Sequence, residues 1–92
     1  MPYSVEYTAD AVRELKKLDR HTAALIYGWI EKNLVGCSDP RRHGKSLAAN
    51  RRGQWRYRVG DCRLISGIQD DKVIILILNV GHRLGHLISA PN

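Results

Sequence analysis

A β-hairpin is predicted by the segment that reads Trp55-Arg56-Tyr57-Arg58-Val59-Gly60-Asp61-Cys62-Arg63-Leu64-Ile65. Up to Val59 the residues alternate between apolar and cationic, so a strand places tryptophan, tyrosine and valine on one face and two arginines on the other. Gly60-Asp61 is typical of a two-residue hairpin turn, because glycine readily adopts the positive φ angle that such turns require. This short turn fixes the register, which is predicted to pair Val59 with Cys62, Arg58 with Arg63, Tyr57 with Leu64 and Arg56 with Ile65.

The predicted register gathers three arginines on one face of the hairpin. Arg58 is expected to lie directly opposite Arg63, with Arg56 one pair away. Like charges directly opposite one another destabilise a pair of strands. We therefore interpret the cluster as a binding site for an anion. Phosphate is the anion we expect, since arginine binds it through two parallel hydrogen bonds.

The positive charge of the chain is concentrated in its second half. Residues 1–40 contain five lysines and arginines against six acidic residues, whereas residues 41–92 contain ten against three. Eight of these cations lie between residues 41 and 63, a segment with a single acidic residue. Such an asymmetry predicts one basic face that binds a nucleic acid or an acidic protein.

Length and composition limit the class of protein. The 92 residues fit a single domain, 1–92. Cys37 and Cys62 match neither a zinc-binding spacing nor a disulfide framework, and we expect no metal and no cofactor. The sequence contains no apolar run of transmembrane length and no secretory signal, so we expect a soluble, cytoplasmic protein without membrane contact.

Hydrophobic spacing predicts the rest of the fold. A strand at residues 3–7 precedes two helices with predicted N-terminal caps at Thr8 and Asp19, and Gly36 is the predicted terminator of the second helix. After a loop at residues 37–54, strands are expected at residues 54–59, 62–68 and 73–78. The last strand is apolar on both faces, which is typical of a central strand. The order β-α-α-β-β-β predicts an α+β fold, with a mainly antiparallel four-stranded sheet packed on a helical hairpin.

Three segments resemble the RelE/ParE toxin superfamily of bacterial and archaeal type II toxin–antitoxin modules. They are Trp55–Ile65, Gly44-Lys45-Ser46-Leu47 and, after the last predicted strand, Val80-Gly81-His82-Arg83. The chain length and the order of the elements match the superfamily as well. The resemblance implies a RelE-like fold and a toxin that is neutralised by a cognate, RelB-like antitoxin.

The RelE branch of this superfamily cleaves mRNA in the ribosomal A site. The ribose 2′-OH attacks the adjacent phosphate without a metal, and the products carry a 2′,3′-cyclic phosphate and a 5′-OH. The resemblance assigns Arg56 and Arg58 to the family's basic strand positions and Arg63 to its phosphate-stabilising position. Arg83 matches the arginine after the last strand, and Lys45 matches a basic loop position.

Two residues depart from the family's pattern. Cys62 stands where the signature usually has tyrosine, and we interpret it as a core residue. Ser89 stands where the family commonly has an aromatic residue, so the usual tyrosine for base stacking or proton transfer is absent. Arginine is a poor proton acceptor because its pKa exceeds about 12. His86 is therefore our candidate for proton transfer and His82 the alternative, since an unperturbed histidine titrates near pH ~6.5.

Further cations and one aromatic residue are candidates for RNA contact. Contacts to phosphate fix the position of a nucleic acid without reading its sequence. Trp55 either stacks on a base or packs in the core, and the alternation of the strand favours the core. The candidate RNA-binding residues are Lys45, Arg51, Arg52 and His82.

These features together predict a toxin that acts as a ribosome-dependent mRNA endoribonuclease and inhibits translation. Its expected partners are a RelB-like antitoxin and the ribosome with mRNA in the A site. One alternative is a ParE-like inhibitor of DNA gyrase, which binds a protein and has no nuclease chemistry. A second alternative is a catalytically weak homologue that binds only its antitoxin or RNA.

Overall fold

The computed structural model describes residues 2–47 and 53–82, which form two helices and a five-stranded sheet. The sheet order is β1-β5-β4-β3-β2, with β1 parallel to β5 and every other pair antiparallel. The α+β class is confirmed, with five strands in place of the predicted four. The elements are β1 (Ser4–Tyr7), α1 (Ala9–Lys17), α2 (Arg20–Asn33), β2 (Lys45–Ser46), β3 (Gln54–Val59), β4 (Cys62–Gln69) and β5 (Ile74–His82).

The β3–β4 hairpin has the register that the sequence predicts. All four predicted pairs are present, from Val59 with Cys62 to Arg56 with Ile65. Gly60 has a φ of 59°, whereas Asp61 does not have a positive φ. A positive φ at the first turn residue alone is the geometry of a type II′ turn, which matches the right-handed twist of the strands. The hairpin therefore closes without strain at its turn.

Both predicted helix caps are confirmed. The hydroxyl of Thr8 accepts a hydrogen bond from the Ala11 amide at 3.1 Å, and Asp19 accepts one from the Thr22 amide at 3.0 Å. These bonds satisfy amide groups that have no partner within the first turn of a helix. Neither α1 nor α2 is long and apolar enough to cross a membrane.

The core lies between the helical hairpin and one face of the sheet. Tyr57 is fully buried there, and Trp55 packs against the same cluster, as the alternation in β3 predicts. Cys62 is also buried, which confirms its interpretation as a core residue. The opposite face, which we call the open face, carries the arginines. The buried cluster consists of Ala11, Leu15, Ile26, Ile30, Leu34, Tyr57, Cys62, Leu64, Ile75, Ile77 and Val80.

Strand β5 lies between β1 and β4, so its predicted central position is confirmed. It extends to His82, four residues beyond the predicted end at Leu78. Asparagine and glycine at positions 79 and 81 are poor strand formers, so the apolar run that predicts the strand ends before them. The ladder with β4, which pairs His82 with Cys62, overrides that local preference.

The loop predicted at residues 37–54 contains a short strand, β2. Lys45 pairs with Arg56 and Ser46 pairs with Trp55, which adds an antiparallel edge to the sheet. Two residues are too few for an alternating pattern to be visible in the sequence. The pairing is therefore a product of the tertiary structure.

Thr8 joins the start of α1 to β5, and its substitution is expected to destabilise the fold. Its hydroxyl caps the helix and also donates to the Leu78 carbonyl at 2.9 Å. We expect Thr8→Ala to lower the free energy of unfolding by about 1–2 kcal/mol, since both bonds are lost. Urea titration of this variant and of Ser4→Ala, an exposed position on β1, checks it. Equal stability of the two variants would contradict the assigned role.

Candidate functional site

Four cations surround an open pocket at the β2 side of the open face. The pocket has a volume of about 430 Å³ and is lined by Gly44, Lys45, Arg56, Arg58 and Arg63. Strands β2, β3 and β4 each contribute to it, although no two of its cations are neighbours in the sequence. We refer to this feature as the cationic pocket.

The strand register arranges the cationic pocket in two rows. Lys45 pairs with Arg56, and Arg56 pairs with Ile65 in the next strand, which forms the first row. The second row begins with Arg58, which pairs with Arg63. Residues two apart along a strand share a face and are separated by about 7 Å. The two rows therefore present positive charge over an area that suits neighbouring phosphates of one nucleic-acid strand.

The cations of the pocket repel one another. Arg56 and Arg63 are half-buried, whereas Lys45 and Arg58 are exposed. Within residues 2–47 and 53–82, the ion pairs join Arg13 to Asp10 and Arg41 to Asp70, and neither involves the pocket. A bound anion relieves this repulsion, which makes the pocket a site prepared for negative charge.

Two aromatic side chains from the back of β3 hold the loop that leads to Lys45. The Tyr57 hydroxyl donates to the Pro40 carbonyl at 2.6 Å, and the Trp55 indole donates to the His43 carbonyl at 2.5 Å. Burial raises the pKa of Tyr57 well above its ordinary value, so the hydroxyl stays a donor. The residues that alternate with the pocket arginines therefore position the loop on the pocket's rim.

Gly44 allows this loop to lie directly against β3. Its φ is +84°, and a Cβ atom at this position would come within 2.2 Å of the Arg56 carbonyl oxygen. Only glycine avoids both the left-handed backbone strain and this collision. Gly44 thereby brings the adjacent Lys45 into the row of Arg56.

The other end of the loop is fixed to the β4–β5 turn. Arg41 donates two hydrogen bonds to the Asp70 carboxylate, at 3.0 and 3.1 Å, and the Tyr3 hydroxyl donates a third at 2.7 Å. We refer to Tyr3, Arg41 and Asp70 as the Asp70 latch. Hydrogen bonds from Arg41 and then Tyr3 lower the pKa of Asp70, and the bond to Asp70 raises the pKa of Tyr3. Sequence reasoning missed the latch because its members are far apart in the chain.

The described structure brings four of the predicted site residues together in one pocket. Lys45, Arg56, Arg58 and Arg63 line one pocket. His82 pairs with Cys62, whereas Gly81 pairs with Arg63. The predictions for Arg51, Arg52, Arg83 and His86 lie outside the described residues.

The described part of the pocket has the means to hold a phosphate. Arg58 and Arg63 lie on opposite strands and point to the same open face, so both guanidinium groups can contact one phosphate. Arginine stays protonated at neutral pH and serves as a hydrogen-bond donor. The pocket is therefore built for electrostatic stabilisation of an anion.

Comparison with known proteins gives one family. The model for the ParE toxin of the type II toxin–antitoxin system parDE matches residues 5–85. Toxin RelG of Mycobacterium tuberculosis is 35% identical over 83 residues, which cover 90% of this chain and 93% of that relative. Toxin RelE of the same organism is 32% identical over 82 residues, which cover 89% of this chain and 82% of the relative.

Solved structures have the same architecture. The RelBE2 toxin–antitoxin complex from Mycobacterium tuberculosis contains a chain with a TM-score of 0.81 and 34% identity, which covers 90% of this chain and 93% of that one. The isolated Escherichia coli RelE toxin has a TM-score of 0.71 over 98% of this chain and 99% of that one. At 16% identity, the second likeness concerns the fold alone.

The Asp70 latch makes a prediction about the pH dependence of stability. Because folding lowers the pKa of Asp70, its stabilising effect is present above the unfolded value of about 3.9 and is lost as pH falls through the folded pKa. We expect Asp70→Asn to be less stable than the wild type at pH 7 and to converge with it at acidic pH. Urea titrations from pH 7 to pH 2 measure this difference.

The matched control for this prediction is Asp71→Asn. Asp71 is the next residue of the same turn and is exposed. Asp71→Asn is expected to lower the free energy of unfolding at pH 7 by less than Asp70→Asn does. If both variants followed one pH profile, the latch would have no stabilising role.

Proposed function

The chain belongs to the ParE toxin family of type II toxin–antitoxin systems, and on that premise we propose that it is a ribosome-dependent endoribonuclease that cleaves mRNA in the A site. The observation that carries the proposal is the opposition of Arg58 and Arg63 within the cationic pocket. Two relatives above 30% identity, Toxin RelG and Toxin RelE, support the RelE branch of the superfamily. An acidic RNA backbone is the substrate class that suits this charge.

The proposed reaction transfers a phosphoryl group within the RNA. The ribose 2′-oxygen forms a bond to the adjacent phosphorus and gives up its proton, while the bond to the 5′-oxygen breaks and that oxygen takes up a proton. The products are a 2′,3′-cyclic phosphate and a 5′-OH, and water is not consumed. Negative charge builds on the phosphate oxygens, so donors held in position lower the barrier.

Each cation of the pocket has a proposed role. Arg58 and Arg63 hold the non-bridging oxygens of the scissile phosphate, and their charge stabilises the transition state. Arg56 and Lys45, in the first row, bind a neighbouring phosphate and keep the RNA in register. Arg83 donates a hydrogen bond to the departing 5′-oxygen, which takes its proton from solvent, while the proton of the 2′-OH passes through the base to solvent. These roles use arginine for what its pKa permits, which is donation without proton transfer.

The proton acceptor for the 2′-OH is proposed to be a histidine. His86 is the first candidate because it follows Arg83 by three residues in the sequence. His82 is the second candidate. A histidine with an ordinary pKa near ~6.5 accepts a proton efficiently at neutral pH.

The partner proposed for the chain is an antitoxin with an acidic and apolar segment. Structural relatives were solved as complexes of RelE with RelB, including one from Mycobacterium tuberculosis. The open face combines the cationic pocket with the half-buried side chains of Ile74, Leu76 and Leu78. A segment that neutralises the pocket and covers this apolar strip would complement both halves of the face.

Inhibition of DNA gyrase is the second candidate function, because the matching family model is that of ParE toxins. Such an activity requires a protein-binding surface and no cleavage chemistry. The two functions separate in the cell, where an RNA-cleaving toxin stops translation and a gyrase inhibitor stops DNA replication. The paired arginines of the pocket favour the first.

Expression of the chain without a partner is expected to arrest growth by blocking translation. Pulse labelling should show protein synthesis falling before DNA synthesis, and sequencing of RNA ends should find new 5′-OH ends within translated messages. The control is the Arg63→Ala variant at equal expression. Normal protein synthesis with halted replication would contradict the proposal and favour gyrase inhibition.

Substitution of Arg63 directly tests the clamp that Arg58 and Arg63 are proposed to form on the scissile phosphate. We expect Arg63→Ala to lower the cleavage rate by about 10²-fold or more, since one donor to the transition state is lost. The variant should remain folded, because removing Arg63 relieves its repulsion with Arg58. Cleavage of A-site mRNA on purified ribosomes gives the rate, and thermal unfolding monitors the fold.

The control for this substitution is Arg13→Ala. Arg13 is an exposed cation on α1 that pairs with Asp10. The substitution Arg13→Ala therefore removes one positive charge, as Arg63→Ala does, but outside the cationic pocket. An unchanged rate in Arg63→Ala, or equal losses in both variants, would remove the clamp from the mechanism.

A further inference from the structure

Strand β5 contains a bulge that determines which side chain joins the first row of the cationic pocket. Ser66 pairs with Ile77, but Ile65 pairs with Asn79, so β5 has one extra residue at this point. A regular ladder continuing from the Ser66–Ile77 pair would put Leu78 opposite Ile65. The bulge therefore replaces an apolar side chain with an amide in the row of Arg56. Bulges commonly re-aim side chains next to functional sites.

Side chains of α1 and its cap hold the bulge on both sides of Asn79. The Thr8 hydroxyl donates to the Leu78 carbonyl at 2.9 Å, and the Glu14 carboxylate accepts from the Val80 amide at 2.6 Å. These bonds occupy backbone groups on the edge of β5 beyond the end of β1. The position of Asn79 is thus fixed by the fold.

The surroundings of Asn79 suit a nucleobase. Its side chain is exposed and makes no hydrogen bond within residues 2–47 and 53–82. Ile65, half-buried between Asn79 and Arg56, provides an apolar surface in the same row. In the next row Gly81 pairs with Arg63, and a Cβ at Gly81 would meet no atom of the described residues within 4 Å. The position of Gly81 thus leaves room beside Arg63, and the Asn79 amide lies in the neighbouring row.

We propose that Asn79 is a specificity-determining residue that contacts the base next to the scissile phosphate and favours adenine. This inference rests on the proposed function. The cations of the pocket suit phosphate, whereas an asparagine amide presents an N–H donor beside a carbonyl acceptor. That pair matches the N6 and N7 atoms of adenine, and bases of single-stranded RNA expose this edge. In this arrangement Ile65 packs under the base, with Arg56 on the phosphate side of Ile65 and the Asn79 amide at the base edge.

The test compares cleavage on ribosomes whose A-site codons differ only by A, C, G or U at one position, for each of the three positions. We expect the wild type to cut the adenine codon about tenfold faster than the others at one position. Asn79→Ala should reduce this preference to less than about threefold. Asn79→Gln, which keeps the amide, should restore part of it.

Asn33→Ala is the matched control, because it removes an amide that donates to the Trp29 carbonyl within α2 and does not line the cationic pocket. If Asn79→Ala lowers the cleavage rate equally on all four codons, as expected for this control, Asn79 has only a structural role and the inference is overturned. A preference unchanged in Asn79→Ala would overturn it as well, while wild-type cleavage would leave the proposed function standing. A wild type that cuts no A-site codon would reject the proposed function and the inference together.

Discussion

The two-residue turn at Gly60-Asp61 is the constraint on which the rest of the structure depends. It sets the register of β3 and β4, and a slip of one residue would send every side chain of a strand to the other face. In the observed register Tyr57 enters the core while Arg58 meets Arg63 on the open face. The same pairing of β3 with β4 therefore builds the core on one face of the sheet and the cationic pocket on the other.

Contacts on the opposite face of the same strands offset the charge repulsion within the cationic pocket. Tyr57 and Trp55 are anchored by the core and donate to the carbonyls of Pro40 and His43, which holds the loop that carries Lys45. Local conflicts of this kind are expected at functional sites, where a fold gives up some stability for chemistry. The burial of β3 behind the pocket makes the clustering of charge possible.

Features encoded by neighbouring residues were predictable from the sequence. The hairpin register followed from a two-residue turn, and the caps at Thr8 and Asp19 followed from side chains that bond amides three residues away. Strand β2, the bulge before Asn79 and the Asp70 latch were not predictable, because each depends on segments distant in the chain. The sequence predicted the charges of the pocket, and the tertiary structure determined their rows.

The most direct test of this account is whether the cationic pocket binds an RNA backbone as one site. Arginine side-chain NMR signals can be followed during titration with a short oligonucleotide carrying 2′-deoxyribose at the cleavage position, which prevents the reaction. A single binding site predicts that the signals of Arg56, Arg58 and Arg63 shift together with one dissociation constant, while those of Arg13 and Arg20 on the helices stay unchanged. Equal shifts at the helical arginines, or none at the three pocket arginines, would contradict it.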